Sequence, residues 1–451
     1  GAGGRGSPRR AAPRRTRAAT AGGAGGGGGA PPPPRGPPAP AAGSGAAVVV
    51  GAGFAGLRAL RALGGAGVLV DSKGFFEYTP AAPRSLVCAA SAERALRPLP
   101  AGAVQGRAVG LETLEGGGAG GSPPAPPRLA VVLEDGRRLP CQCVVWASGA
   151  LYPCEALKPA PLARGGAAAR RAALEGAQEE LRRAHRVAVL GGGQAGVEVA
   201  AEVAGEFRGG KRVLLVCSTE RLLPGMLPRA GAFARQWLEG RGVEIWLGTS
   251  AEVADRPAAP SGRRQRRECL TLASSGGGLR FEADLLYDCT GNRFSSESLP
   301  RQLAPDPAGG AALEAGQIRV DAALQVEGLE GVFACGDVCQ PRAWQTAFQA
   351  ELTGEAAGRN ALRALSGRPP RAFPAAASPT VVAVSLHRRS GILQLNRLVL
   401  TGLLAAGMKA LVEACVLGSV SGSRLAGWAM VLMEHIAFLL GRVVPPPRKE
   451  S

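Results

Sequence analysis

The stretch VVVGAGFAGLRAL at Val48–Leu60 returns in near copy as VAVLGGGQAGVEVA at Val187–Ala200. Each copy is a β-branched run, a Gly-x-Gly-x-x-Gly turn and a helix with an apolar face, which together make a β-turn-α unit. In such a turn the first glycine allows the tight bend, the second lets a phosphate approach the backbone, and the third lets helix pack closely on strand. The phosphate then meets free N–H groups at the positive end of the helix. A chain that builds this cradle twice is committed to an α/β fold with two nucleotide sites.

The first cradle is Gly51, Gly53 and Gly56, and the strand after it, GVLVD, ends at Asp71, twenty residues beyond Gly51. That spacing lets Asp71 hold an adenosine ribose hydroxyl. The second cradle is Gly191, Gly193 and Gly196, followed by a strand ending VCSTER at Val216–Arg221. No acid sits at that strand tip to repel a 2′-phosphate, so NADPH is permitted with Arg221 as its partner, while Glu220 keeps NADH open. Ser218 and Arg221 are the NAD(P)H candidates in this tip.

Two nucleotide sites in one chain suggest two redox nucleotides face to face, one donating hydride and one accepting it, which implies FAD plus NAD(P)H. A third signal agrees: VFACGDV is a strand ending at Gly336-Asp337. Asp337 can bond a ribityl hydroxyl. The helix expected at Ala343–Leu365 would aim its N-terminus, Gln345 to Phe348 with Ala347 between them, at the flavin pyrimidine. Its positive dipole would stabilise a reduced, anionic flavin.

The expected fold class is α/β with two Rossmann-like dinucleotide-binding domains, the NAD(P) domain inserted in the FAD domain, plus a C-terminal amphipathic helical region. The expected boundaries are a leader at 1–46, the first segment of the FAD domain at 47–165, the NAD(P) domain at 166–300, the second segment of the FAD domain at 301–375 and a membrane-association region at 376–451. The stretches LAVVLEDG and QCVVWASG read as an antiparallel meander added to the first sheet.

The leader has seven Arg, no Asp or Glu and the run PPPPRGPPAP. It cannot bury enough apolar surface to fold, and it resembles a mitochondrial or chloroplast transit peptide; a biased tail without an address is the alternative. Net charge is +18, but only five of the 53 basic residues are Lys, a bias that points to base composition. Because the basic residues are dispersed and lack interleaved aromatics, no nucleic-acid partner is expected, and the basic run GRRQRRE at 262–268 reads as a solvated hairpin tip. The ten Cys show no CxxC pair or metal-type spacing, so no metal site is expected. Cys141 and Cys143 read as packing residues on one face of one strand.

At VVVGAGFAGL, VDSKGFFEYTPAAPRSLV, GGGQAGVEVAAEV, DCTGNR and LQVEGLEGVFACGDV, from about Ala47 to Leu365 with continuation to Pro447, the chain resembles a known family. These are the two-dinucleotide-binding-domain flavoproteins of the pyridine nucleotide-disulfide oxidoreductase fold, specifically the type II NAD(P)H:quinone oxidoreductases and the AIF-like ferroptosis suppressor branch. The resemblance implies FAD on Gly51, Gly53, Phe54, Ala55 and Gly56, with Asp71 on the ribose, Arg84 and Ala108 along the cofactor and Asp337 on the ribityl chain. It implies Glu198 at the nicotinamide amide; a helix-surface charge is the other reading of Glu198, and a surface salt bridge that of Arg84. Bacterial and mitochondrial type II dehydrogenases carry A-Q-x-x-x-Q-x-G under the flavin, whereas Ala347–Gly354 here puts Phe348 and Leu352 at the two Gln positions. The ferroptosis suppressor branch, to which this is closer, often has Lys where this chain has Gln345. Disulfide reductases of this fold place a Cys pair after the first cradle, and this chain has only Cys88 there.

The implied activity is NAD(P)H:quinone oxidoreduction, with no side chain acting as nucleophile or base. Phe75, Phe76, Phe348 and Leu352 are candidates for an apolar quinone slot, with core packing as the alternative for each. Alternative functions are a soluble NAD(P)H-dependent reductase for a non-quinone acceptor and an AIF-like nucleic-acid binder.

Quinones live in membranes, which makes two C-terminal stretches informative. LVLTGLLAAGM lies between Arg397 and Lys409, and LAGWAMVLMEHIAFLLG after Arg424 sets Leu425, Trp428, Leu432, Ile436 and Leu439 at helical spacing. Neither reads as about 18 uncharged residues, so a peripheral anchor on an organelle membrane surface is expected, not a transmembrane span. A packing helix or a homodimer interface is the competing reading. Glu434 and His435 are expected at the interface, and His185 and His387 outside any site.

Overall fold

The computed structural model describes residue 1 and residues 46–114, 128–158, 165–255, 270–274, 278–292, 317–339 and 345–446. The leader, the Gly/Pro loop at 116–127, the basic run at 262–268 and Ala343 with Trp344 lie outside the described residues.

Strand β1 (Ala47–Val50) is AVVV and wholly buried, as suits a parallel strand covered on both faces. The glycine turn leads into α1 (Phe54–Leu63), and β2 (Gly67–Asp71) returns parallel to β1. An excursion follows: β3 (Phe75–Glu77), the short helices α2 (Ala82–Ser85) and α3 (Ala89–Ala95), and β4 (Leu96–Pro98), antiparallel to β3. Next, β5 (Val104–Gln105) pairs parallel with β2. A meander of β6 (Ala108–Leu114), β7 (Arg128–Leu133) and β8 (Arg138–Cys141) then precedes β9 (Cys143–Trp146), which pairs parallel with β1.

The meander is therefore real, but QCVVWASG does not belong to it. Strand β8 alternates exposed and buried positions, the mark of a half-covered hairpin, whereas CVVW is buried at all four. Cys141 and Cys143 consequently sit on different strands and pack into different clusters.

The second unit repeats this order. After α4 (Gly166–Arg183) come β10 (Arg186–Leu190), α5 (Gln194–Phe207), β11 (Arg212–Val216), α6 (Pro228–Glu239) and β12 (Val243–Trp246). A second meander, β13 (Ala251–Asp255), β14 (Leu270–Ser274) and β15 (Arg280–Ala283), leads to the return strand β16 (Leu285–Asp288). The sheet order β12-β11-β10-β16 matches β5-β2-β1-β9 in the first unit.

Strand β17 (Val332–Ala334) then pairs parallel with β9, so the second unit is inserted between two strands of the first sheet. Helix α7 (Ala347–Leu365) lies against α1. Their backbones nearly touch: a Cβ on Gly354 would fall 2.2 Å from the Ala55 carbonyl oxygen, and one on Gly358 2.5 Å from that of Ala59. This small-residue seam fixes α7 relative to the first cradle.

The region at 376–451 is a small sheet followed by two helices. It opens with an antiparallel sheet, β18 (Val381–Ser385), β19 (Gly391–Leu395) and β20 (Leu398–Thr401), that places Val382, Val384 and Ile392 in one core with Val197 and Val199 of α5. LVLTGLLAAGM is split between β20 and the start of α8 (Leu403–Val420). Helix α9 (Arg424–Val443) follows, its first turn capped by the Ser423 hydroxyl, which accepts from the Ala426 N–H at 3.3 Å.

At 18 and 20 residues, α8 and α9 are longer than the two apolar stretches and are long and apolar enough to cross a membrane by length and composition, although each contains charged residues. The helices continue through Lys409 and Glu434 because ion pairs take up those charges: Lys409 with Glu198, and Glu434 with Arg58 at 2.6 Å. Glu434 thus faces the body of the protein, not an interface.

Candidate active site

The two cradles have the same geometry. Gly51 and Gly191 have φ of 104° and 107°, and a Cβ on either would fall 2.3 Å from a carbonyl oxygen, that of Ala147 or of Cys289. A Cβ on Gly56 or Gly196 would fall 1.7 or 1.8 Å from the carbonyl oxygen of Gly51 or Gly191. Gly53 and Gly193 meet nothing within 4 Å. So the first position makes the bend, the third the close contact, and the second opens onto free space, twice over. Neither α1 nor α5 has a side-chain N-cap, which leaves first-turn N–H groups for a ligand. This donor set fits a pyrophosphate.

Asp71 is 8% exposed at the tip of β2. Its Oδ2 accepts from the Ala52 N–H inside the cradle and its Oδ1 from the Lys73 N–H, both at 2.7 Å. A carboxylate has about four acceptor sites, so capacity for a ribose hydroxyl remains. Phe54 turns its ring away, edge-on to Phe76 at 5.5 Å and to Tyr78 at 5.7 Å. Ala55 faces the α1–α7 seam, while Ala108 starts β6, opposite Leu133 in the meander core.

Asp337 follows β17 in a single 3-10 turn, which the Gly336 N–H ties to the Thr353 hydroxyl of α7 at 3.1 Å. Burial pushes its carboxyl up, against the pull of Lys158. Lys158 carried no sequence signal. It donates to the Ala150 carbonyl at 2.5 Å and lies 5.0 Å from the Tyr152 ring centre. Burial, followed by Lys73, lowers it to about 8, while Asp337, Glu77 and Asp71 oppose the shift.

In the first turn of α7, the Thr346 hydroxyl accepts from the Gln349 N–H at 3.2 Å, and Ala347 and Phe348 are half-buried. The Oε1 of Gln349 is buried with no partner, an opening for a polar group at this helix end. Asn292 of the second unit donates to Gln345 Oε1 at 3.0 Å, linking that unit to the α7 N-terminus.

Arg84 and Glu198 are not surface charges. Arg84 Nε lies 3.1 Å from Glu202 Oε2 on α5, and burial pushes Glu202 up to about 7 despite that guanidinium. Glu198 Oε1 accepts from the Ser385 N–H at 2.6 Å and pairs with Lys409. His387 pairs with Glu206 farther along α5, at 3.2 Å. Ser218 is exposed at the β11 tip. The expected pairing of Arg221 with a 2′-phosphate is not preformed, because its guanidinium donates to its own loop, to the Pro224 carbonyl at 2.8 Å and the Met226 carbonyl at 2.7 Å.

A small, half-open cleft lies between α1, α7, α8 and α9. Phe54, Leu57, Phe76, Val416 and Met430 give it apolar walls, and Arg58 and Glu351 add charge. Burial pushes the Glu351 carboxyl up to about 7; Arg58 opposes this and Glu434 adds to it. Of the four quinone-slot candidates only Phe76 lines this cleft. Phe75 is buried in β3 beneath Lys73, Leu352 is buried on α7, and Phe348 stays in the first turn of that helix. Residue type and the family pattern mark these four as apolar without revealing which way each points.

Residues 45–350 match the family model described as pyridine nucleotide-disulphide oxidoreductase. Ferroptosis suppressor protein 1 of Homo sapiens is 27% identical over 360 residues, covering 77% of this chain and 88% of that relative. Its counterpart of the same name in Xenopus tropicalis is 28% identical over 358 residues, with the same coverage. Among solved structures, the sulfide:quinone oxidoreductase of Aquifex aeolicus has a TM-score of 0.62 at 15% identity, over 85% of this chain and 93% of that one, a likeness of fold.

Proposed function

The chain belongs to the pyridine nucleotide-disulphide oxidoreductase family and is an FAD-dependent NAD(P)H oxidoreductase; from that premise we propose that its electron acceptor is a quinone taken from a membrane surface. The overall reaction is NAD(P)H + H⁺ + quinone → NAD(P)⁺ + quinol. Bound FAD supplies the two-electron relay between the nucleotide and the acceptor.

In this reading Gly51, Gly53, Gly56, Asp71 and Asp337 hold FAD, and Gly191, Gly193, Gly196 and Glu198 hold NAD(P)H. The observation that carries the quinone assignment is the apolar cleft at the root of the α8–α9 hairpin, walled by Phe54, Phe76, Val416 and Met430. The hairpin turn is pinned to the body: Arg61 donates to the Ser419 hydroxyl at 2.6 Å and Arg97 to the Ser421 hydroxyl at 3.1 Å. Its outer side carries Leu425, Trp428 and Leu432 at 81%, 74% and 61% exposure. A hairpin held along one side and apolar along the other suits lying in the headgroup region better than spanning the bilayer.

The test is steady-state oxidation of NADH and NADPH with a short-chain quinone and a long-chain one, with and without liposomes. Turnover of the short-chain quinone, and of the long-chain one once liposomes present it, supports the reading. Reduction of a soluble dye with no quinone turnover would end it.

Two side-chain predictions follow from the same roles. Asp71→Ala is expected to weaken FAD retention by about ten- to a hundredfold, the worth of hydrogen bonds to a charged group of roughly 1.5–3 kcal/mol, as measured by flavin released on dialysis. Glu351 holds a proton near neutral pH at the cleft wall, so it can supply the one that quinol formation consumes. Its proton is lost as pH rises through about 7. Accordingly kcat/KM for quinone is expected to fall above that pH in the native protein, and Glu351→Gln is expected to remove the limb from the pH profile.

A further inference from the structure

Helix α5 presents Glu198, Glu202 and Glu206 at intervals of four residues, on one face. Each is closed by a cation from a different element: Glu202 by Arg84 of α2, Glu206 by Arg388 after β18 with the His387 ring beside it, and Glu198 by Lys409 of α8. Lys409 alone comes from the C-terminal hairpin. It and Glu198 are shielded together, with side chains 12% and 8% exposed.

Glu198 lies two residues beyond Gly196 and therefore beside the second cradle. Glu198 is thus held where α5 meets β18 and α8. The Ser385 N–H and the Lys409 ammonium converge on its Oε1, which sets the rotamer of the carboxylate. Removing the ammonium would leave the carboxylate with the Ser385 N–H as its one remaining partner of the two, so that it can turn out of this orientation.

We propose that Lys409 is a positioning residue for NAD(P)H, holding the Glu198 carboxylate in the orientation that meets the nicotinamide, so that α8 carries part of the nucleotide site. This rests on the nicotinamide role proposed for Glu198. A cation on the hairpin would otherwise only add to its seating on the body, and the two roles differ in what they do to the kinetics.

Full-length flavin-loaded Lys409→Met, Lys409→Gln, Lys409→Arg and Glu198→Gln are compared in steady state with NADH, NADPH and a small soluble acceptor. The bound flavin of each is quantified by absorbance. Lys409→Met and Lys409→Gln are expected to raise KM for NAD(P)H about tenfold or more while KM for the acceptor stays within twofold, and Lys409→Arg is expected to restore most of the loss. Should Lys409→Met not fold, Lys409→Gln carries the same expectation. KM for NAD(P)H within twofold of native in the Lys409 variants, or both KM values rising together with loss of flavin, would overturn the proposal. If Glu198→Gln raises KM for NAD(P)H but the Lys409 variants do not, only the role of Lys409 fails. If Glu198→Gln also leaves it unchanged, the nicotinamide assignment fails with it.

Discussion

Gly51→Ala is expected to purify without flavin, whereas Gly191→Ala is expected to keep its flavin and fail to bleach with NAD(P)H at concentrations that bleach the native protein. The two glycines have nearly equal φ, 104° and 107°, and each would bring a Cβ to 2.3 Å from a backbone carbonyl oxygen. A non-glycine residue there costs about 1–3 kcal/mol in backbone strain alone, before the collision displaces Ala147 or Cys289. Displacement of that carbonyl moves the mouth of the cradle, so cofactor affinity should fall by roughly a hundredfold or more, since about 1.4 kcal/mol is a factor of ten. Equal strain at two sites with unequal consequences separates a damaged cofactor site from general instability. Absorbance at the flavin band with and without NAD(P)H, alongside thermal unfolding, reads both. Loss of flavin from both variants alike would mean that the cradles are not assigned as proposed.

Replacing Leu425, Trp428, Leu432 and Ile436 together by Ser is expected to abolish vesicle binding while leaving turnover with a soluble acceptor. These side chains are 45% to 81% exposed, so the folded state gains little from them. Surface substitutions of this kind usually move stability by about 0.5 kcal/mol or less. Transfer out of water is worth about 1.5–3 kcal/mol for a fully buried side chain of this size, and half-immersion of four of them still amounts to a loss of a hundredfold or more in partitioning. Vesicle co-sedimentation measures this, with the rate on long-chain quinone in liposomes as the functional counterpart. A quadruple variant that still sediments with vesicles would remove α9 as the docking face.

The duplicated turn was legible because each glycine carries a separate steric duty that no other residue can perform. Its parallel context was legible as well, since AVVV and RVAVL are unbroken apolar runs flanked by turn and helix. Strand β9 was misread because CVVW, four apolar residues with no alternation, differs from a meander strand only in its partner, and that partner is β1, nearly a hundred residues earlier.

Charges were the hardest to place from sequence. Lys409 and Glu434 looked like interruptions in two short apolar stretches, and only Glu198 and Arg58, far away along the chain, turn them into inward-facing pairs within full-length helices. Arg221 looked free for a phosphate until its loop folded back over it. Lys158 gave no warning, because its meaning depends on the acids that burial gathers around it. The aromatic candidates share this limit: period-two and helical patterns identify apolar side chains, and the third dimension decides that Phe76 faces the cleft and Phe75 does not.

The most direct test of the paired cradles is the visible spectrum of the purified protein, recorded without oxygen before and after NADH or NADPH and again after quinone. The expected sequence is a flavin band that bleaches with the reduced nucleotide and returns with quinone. A colourless protein that also fails to retain added FAD would contradict the paired-cradle assignment outright.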